Sequence, residues 1–169
     1  MSLSIQPRAR AIFIWVALIP VSLACLTYWT RIQFKQTVAR VSHTERVLGA
    51  IDDIVDAITS AETGQRGFLL TGQSQYVKPF ESAQRDLPLK MTALRALLAG
   101  NSSQLPYLDR LQKLVHEKLA ELKQTVDLGK QGERGEALAI VRSNRGLQAM
   151  EDIIQVSQEM TTAENLRLQ

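Results

Sequence analysis

From Thr37 onward apolar residues recur in steps of three and four, the period of helices that each bury one stripe. On the first stretch Val41, Leu48 and Val55 repeat every seven residues with Ile51 and Ile58 between them, and the same register continues through Glu62, Gln65 and Leu69. A carboxylate and an amide thus fall on a seam, where each must find a partner on a facing helix, so the pattern predicts an inward polar layer. This helix reaches Leu70 with no proline or turn cluster after the N-terminal apolar run, about forty residues or roughly 60 Å. It cannot bury its stripe alone, and partners must come from the rest of the chain or from a second copy. Thr71-Gly72-Gln73-Ser74 then reverses the chain, with Gly72 suited to the left-handed position after a helix and Ser74 to the next N-cap.

A second helix carries Tyr76, Phe80, Ala83, Leu87, Met91, Leu94 and Leu98 on one face. Pro79 suits its first turn, whereas Pro88 removes an internal hydrogen bond and predicts a kink between Gln84 and Pro88. Gly100-Asn101-Ser102-Ser103 separates it from a third helix with Leu108, Leu111, Val115, Leu119, Leu122 and Val126, closed by Gly129 and Gly132. The fourth begins near Glu133 and places Leu138, Val141, Leu147, Met150, Ile154 and Met160 on one face to the end of the chain. Four amphipathic helices with short connections predict an all-α, up-down-up-down four-helix bundle, with both of its chain ends at one end.

Ahead of the bundle, Ala11 to Thr30 is uncharged, flanked by Arg8 and Arg10 on one side and Arg31 and Lys35 on the other. That length spans a hydrocarbon core, and Tyr28 and Trp29 fall where an aromatic belt would lie. The organisation read from this is a tail over 1–10, a transmembrane helix over 11–30 and a helical domain over 31–169. A cleaved signal peptide is the competing reading; the long apolar run and the lack of a small-x-small site favour an uncleaved anchor. The single cysteine, Cys25, excludes an intrachain disulfide, and Ser22 stands where a lipoprotein signal favours leucine.

Composition narrows the function classes. Twenty Lys and Arg against 17 Asp and Glu give a mild net charge of +3, with the basic residues scattered among acids. No basic stripe interleaved with aromatics appears, so nucleic acid is not an expected partner. Aromatics make up only 5% of the chain, as in many helical proteins.

Ala61-Glu62-Thr63-Gly64-Gln65-Arg66-Gly67-Phe68-Leu69-Leu70-Thr71-Gly72, followed by Gln75-Tyr76 and Pro79-Phe80, resembles the signature of the CHASE3 domain, an extracytoplasmic sensory module of bacterial membrane receptors. Leu108-Asp109-Arg110-Leu111 and the run from Leu114 to Leu122, with Thr125, Val126 and Leu128, are similar to that family's third helix; Ala137, Val141-Arg142 and Gly146 to Met150 resemble the start of its fourth. The resemblance covers roughly 37–160. One departure is clear: Ser143-Asn144-Arg145-Gly146-Leu147 stands where the family usually has a Thr-Gly-x-Gly-Lys-like run, and the lysine is missing. The family implies a tail in the cytoplasm, a domain outside the membrane (periplasmic in a Gram-negative cell) and a homodimer. It also implies a second membrane helix and an output module after the bundle, so the chain reads as a fragment of a longer receptor such as a sensor histidine kinase. Its signature residues are Glu62, Thr63, Gly64, Gln65, Arg66, Gly67, Thr71 and Gly72.

No enzymatic constellation is evident. His116-Glu117 resembles a kinase phosphoacceptor box only in its pairing, with no following proline and no nucleotide-binding glycines, and reads as a solvated histidine. Ala120 occupies the place of the second histidine of a zincin, and His43 and His116 have no clustered cysteines or carboxylates, so no metal or cofactor is expected. What remains is the polar layer of Glu62 and Gln65 with Arg66, and the Asn144-Arg145 pair. Arg66 reads either as a solvated or ion-paired side chain or as part of a buried network with two arrangements that carries a signal inward. Gly64 and Gly67 read as a close helix approach. The alternative to a receptor input domain is a stand-alone single-pass protein that binds a partner receptor through its seam. No residue pattern identifies a ligand.

Overall fold

The structure, a computed structural model, describes the backbone of residues 7–167 and the side chains of 20–23, 26–29 and 41–167. The chain divides at Ser42–His43 into two units. Helix α1 is Pro7–Thr71, with Pro20 inside it. In the first unit Val21, Leu23, Leu26, Tyr28 and Trp29 are exposed. Among the described residues no helix is long and apolar enough to cross a membrane. Residues 1–6 and the side chains of the rest of the expected tail over 1–10, with most side chains of the expected span over 11–30, lie outside the described residues.

The second unit is a bundle built from the 43–71 stretch of α1 with α2 (Lys78–Leu97), α3 (Leu105–Lys130), α4 (Arg134–Arg142) and α5 (Arg145–Leu166). No strand occurs among the described residues. Chain direction follows from the cross-helix partners. Asp53 of α1 pairs with Lys90 of α2 at 2.9 Å, and Arg95 of α2 pairs with Asp109 of α3 at 2.5 Å. Arg110 of α3 meets Glu159 of α5 at 3.7 Å, and Thr44 of α1 reaches Glu164 of α5. Low numbers face high ones in each of these pairs, so these neighbours are antiparallel. Glu62 faces Lys118 and Gln65 faces Thr125, so α1 and α3 run parallel.

The buried stripe of α1 is Thr44, Val47, Ile51, Ile54, Ile58, Ala61, Gln65 and Phe68, alternating steps of three and four without a break. This corrects the seam expected from the sequence. Ile51, Ile58 and Gln65 belong to it and Leu69 is buried beside it, but Leu48, Val55 and Glu62 are half-buried at its edge, and Val41 is 38% exposed. The positions just before them, Val47, Ile54, Ala61 and Phe68, stay apolar to the end of the helix, and they take the core.

The turn after α1 forms around Gly72 at φ +74°, whose N–H donates to the Phe68 carbonyl at 2.8 Å. Ser74 is not an N-cap. It opens a short 3-10 turn, Ser74–Val77, and α2 starts behind it with Pro79 in its first turn. From there α2 continues through Pro88, burying Phe80, Ala83, Leu87, Met91 and Leu94. Gly132, at φ +88°, ends α3, while Gly129 lies within it.

The expected fourth helix is two helices. Asn144, at φ +59°, interrupts it between α4 and α5, a conformation that asparagine tolerates better than most residues. The break re-phases the buried face: Ala137 is the buried residue of α4, and α5 buries Gly146, Met150, Ile153, Val156, Ser157, Met160 and Glu164. Leu147 and Ile154, expected in the core, are 49% and 39% exposed.

Two adjacent isoleucines test this register with identical chemistry. Ile153→Ala is expected to cost about 2–5 kcal/mol of unfolding free energy, and Ile154→Ala about 1 kcal/mol or less. Urea denaturation followed by circular dichroism measures both; equal costs would contradict the register.

Candidate functional site

From Gln104, just before α3, the heptad stripe runs through Leu108, Leu111, Val115, Lys118, Leu122 and Thr125, and a lysine therefore occupies a core position. Lys118 is 1% exposed, while Leu119, the residue expected there, is only half-buried. An ammonium out of water must have its N–H groups satisfied. Lys118 Nζ donates to Glu121 Oε2 at 2.9 Å, to the Gly146 carbonyl at 3.0 Å and to Glu62 Oε1 at 3.1 Å. Glu62 Oε1 also accepts from Arg66 at 2.8 Å. Two cations and two carboxylates thus balance. Arg66 remains largely in solvent, whereas the Glu62 and Glu121 side chains are nearly covered.

This cluster joins three elements: Glu62 and Arg66 come from α1, Lys118 and Glu121 from α3, and Gly146 from the first turn of α5. Gly146 leaves room for these groups: a Cβ there would lie 2.5 Å from Glu121 Oε2 and 2.7 Å from Lys118 Nζ, so one or both side-chain ends would have to shift. One turn along α1, Gln65 is buried and its Nε2 donates to Thr125 Oγ1 at 2.9 Å.

The other signature residues lie in the turn or outside the layer. A Cβ at Gly64 would come within 2.5 Å of the Tyr76 carbonyl oxygen, and one at Gly67 within 2.8 Å of the Tyr76 ring. Both glycines let the returning chain lie against α1. Thr71 Oγ1 donates to the Gly67 carbonyl at 2.8 Å and accepts from the Gln73 N–H at 3.2 Å. Thr63 is exposed, as are Asn144 and Arg145.

A second polar layer closes one end of the bundle. Glu164, 1% exposed, accepts from Thr44 Oγ1 at 3.2 Å, from Asn101 Nδ2 at 3.4 Å and from Arg167 at 3.5 Å. Gln104 Nε2 donates to the Met160 carbonyl at 2.9 Å; its Oε1 is buried without a partner among the described residues, as is Ser157 Oγ. Sequence reasoning missed Lys118 and Glu164. Extending the strict three-four alternation through Leu111 and Val115 to Leu122 would have marked position 118, and through Ile153 to Met160 position 164.

His116 is exposed on the lip of a concavity of about 630 Å³ between α2 and α3, floored by Leu87, Met91 and Val115. Among the described residues no group of three or more His, Cys, Asp or Glu converges as a metal site would.

Lys118→Met leaves the largely covered Glu121 carboxylate without its cation and Glu62 with Arg66 alone, and is expected to cost about 3–5 kcal/mol in urea denaturation. Adding Glu62→Gln and Glu121→Gln should restore most of that loss. Gly146→Ala is expected to cost about 1–3 kcal/mol through crowding of the same ammonium. That cost should shrink in the Lys118→Met background, and an unchanged cost would dissociate Gly146 from the cluster.

Comparison with known proteins places this arrangement. No curated protein matches the chain. The crystal structure of the Rhodopseudomonas palustris histidine kinase HK9 sensor domain is similar: 35% of residues are identical, the TM-score is 0.69, and the match covers 73% of this chain and 97% of that one. The family model of the CHASE3 domain matches residues 37–169, the whole bundle with its two polar layers, and the chain therefore belongs to the CHASE3 sensory domain family.

Proposed function

We propose that this chain is the extracytoplasmic input domain of a bacterial transmembrane receptor, of the sensor histidine kinase kind, with Ala11 to Thr30 as its membrane anchor. In this reading the domain is an up-down-up-down bundle, acts as a homodimer in the cell membrane, and performs no catalysis itself. The observation that carries it is the family membership together with the Glu164 layer. Thr44, near the start of the domain's first helix, and Glu164, near the end of its last, share a hydrogen bond. The helix that enters the domain and the helix that leaves it are therefore tied at one end, the arrangement in which a shift of one against the other passes along both. The likeness to a histidine kinase sensor domain and the uncharged, aromatic-edged N-terminal run support the same reading.

Buried polar layers suit such a device. A well-packed apolar stripe has one best register, while a layer of charges and amides held by hydrogen bonds has a small set of alternatives that exchange partners. The polar positions Gln65, Lys118 and Glu164 each lie on a heptad seam, where a change of partner alters how two helices meet.

Reporter fusions at Gln169 test the topology. Alkaline phosphatase fused there is expected to be active and green fluorescent protein dark, as for a segment exported across the membrane. The opposite pair of signals would reject the reading.

A further inference from the structure

Beside the Lys118 cluster lies a cavity of about 260 Å³, at the break between α4 and α5. Its wall carries charges of both signs: Glu62 and Arg66 from α1, Glu121 from α3 and Arg142 from the end of α4. Not all of the hydrogen-bonding capacity of these groups is used. Lys118 and Arg66 both bond Glu62 through Oε1, and Lys118 bonds Glu121 through Oε2. Glu62 Oε2 and Glu121 Oε1 have no donor among the described residues. The exposed Arg142 guanidinium likewise has no acceptor among them. Val141 and Leu147 complete the wall with apolar surface, although Leu147 is half exposed and fills no core.

A simple anion placed here would meet two carboxylates, and a simple cation two guanidiniums. A metal ion would compete with the Lys118 ammonium already held between the acids. A molecule with a donor-bearing cation at one end and a carboxylate at the other satisfies both sets of unused groups with charge-assisted hydrogen bonds. The cavity falls just under the range of about 300–1,000 Å³ common for drug-sized ligands, so the guest is small. We propose that this cavity binds a free α-amino acid with an apolar side chain. Its ammonium lies against Glu62 and Glu121, its carboxylate against Arg142 and Arg66, and its side chain against Val141 and Leu147. The proposal rests on the sensory reading for its meaning, since such a guest would bridge α1, α3 and the α4–α5 break beside the Lys118 layer.

Isothermal titration of the full chain in detergent micelles with L-leucine, L-valine, L-methionine and L-phenylalanine tests it. At least one is expected to bind saturably, one per chain. The corresponding amine without the carboxylate, and the acid without the amine, should each bind about tenfold or more weaker, as should the N-trimethylated amino acid, which cannot donate. Arg142→Ala should weaken binding by about tenfold with an unchanged melting temperature. No binding by any of the four, equal binding of the amine or the acid, or an unaltered affinity in Arg142→Ala would overturn the proposal. The titration does not depend on topology, nor the reporter fusions on binding, so a failure here is distinguishable from a failure of the receptor reading.

Discussion

An ammonium group taken out of water sets the terms for the middle of this bundle. Lys118 sits on a core position of α3, and its cost is offset only if every N–H finds an acceptor. The requirement reaches into each neighbour. α1 must bring Glu62 to the edge of its stripe, α3 must supply Glu121 one turn on, and the last part of the chain must offer a bare carbonyl, which Gly146 does. The interruption at Asn144 belongs with this demand, because it lets the first turn of α5 lie against the lysine while α4 packs by Ala137.

The apolar stripes and the polar positions on them play different parts. Ile51, Ile54, Ile58, Leu108, Leu111 and Ile153 are fully covered and contribute most of the hydrophobic stabilisation. Gln65, Lys118 and Glu164 add little net stability, since a buried ion pair roughly repays its own desolvation. What they add is selection of partner: a helix that slips or rotates leaves a charge or amide unsatisfied, so the registers allowed are few. In a sensory domain that is a useful division, with the apolar stripe holding the helices together and the polar layers deciding which arrangement they hold.

Much of this was legible in the sequence. The helical class, the turn at Gly72, the C-terminal ends of α2 and α3 and the partners that Glu62 and Gln65 find on a facing helix all follow from period and turn chemistry. The phase of α1 was ambiguous because Leu48 and Val55 are as apolar as Val47 and Ile54, and only the position after them, Glu62 against Ala61, separates the two stripes. Lys118 was hidden because lysine reads as a surface residue unless a three-four alternation is followed through it. The break at Asn144 was hidden because Ser-Asn-Arg-Gly lacks a proline, and the helical period resumes beyond it in a different phase, which made Leu147 and Ile154 look like core.

The contact between Gly146 and Lys118 has a consequence for how this sequence can drift. The two positions are 28 residues apart in the chain and share one small volume, in which a methyl group would force the ammonium or the Glu121 carboxylate to move. A side chain gained at 146 loosens the hold on the lysine, and with it the reason for the acids at 62 and 121. The four positions are therefore coupled, and a change at any one of them alters what the other three can tolerate.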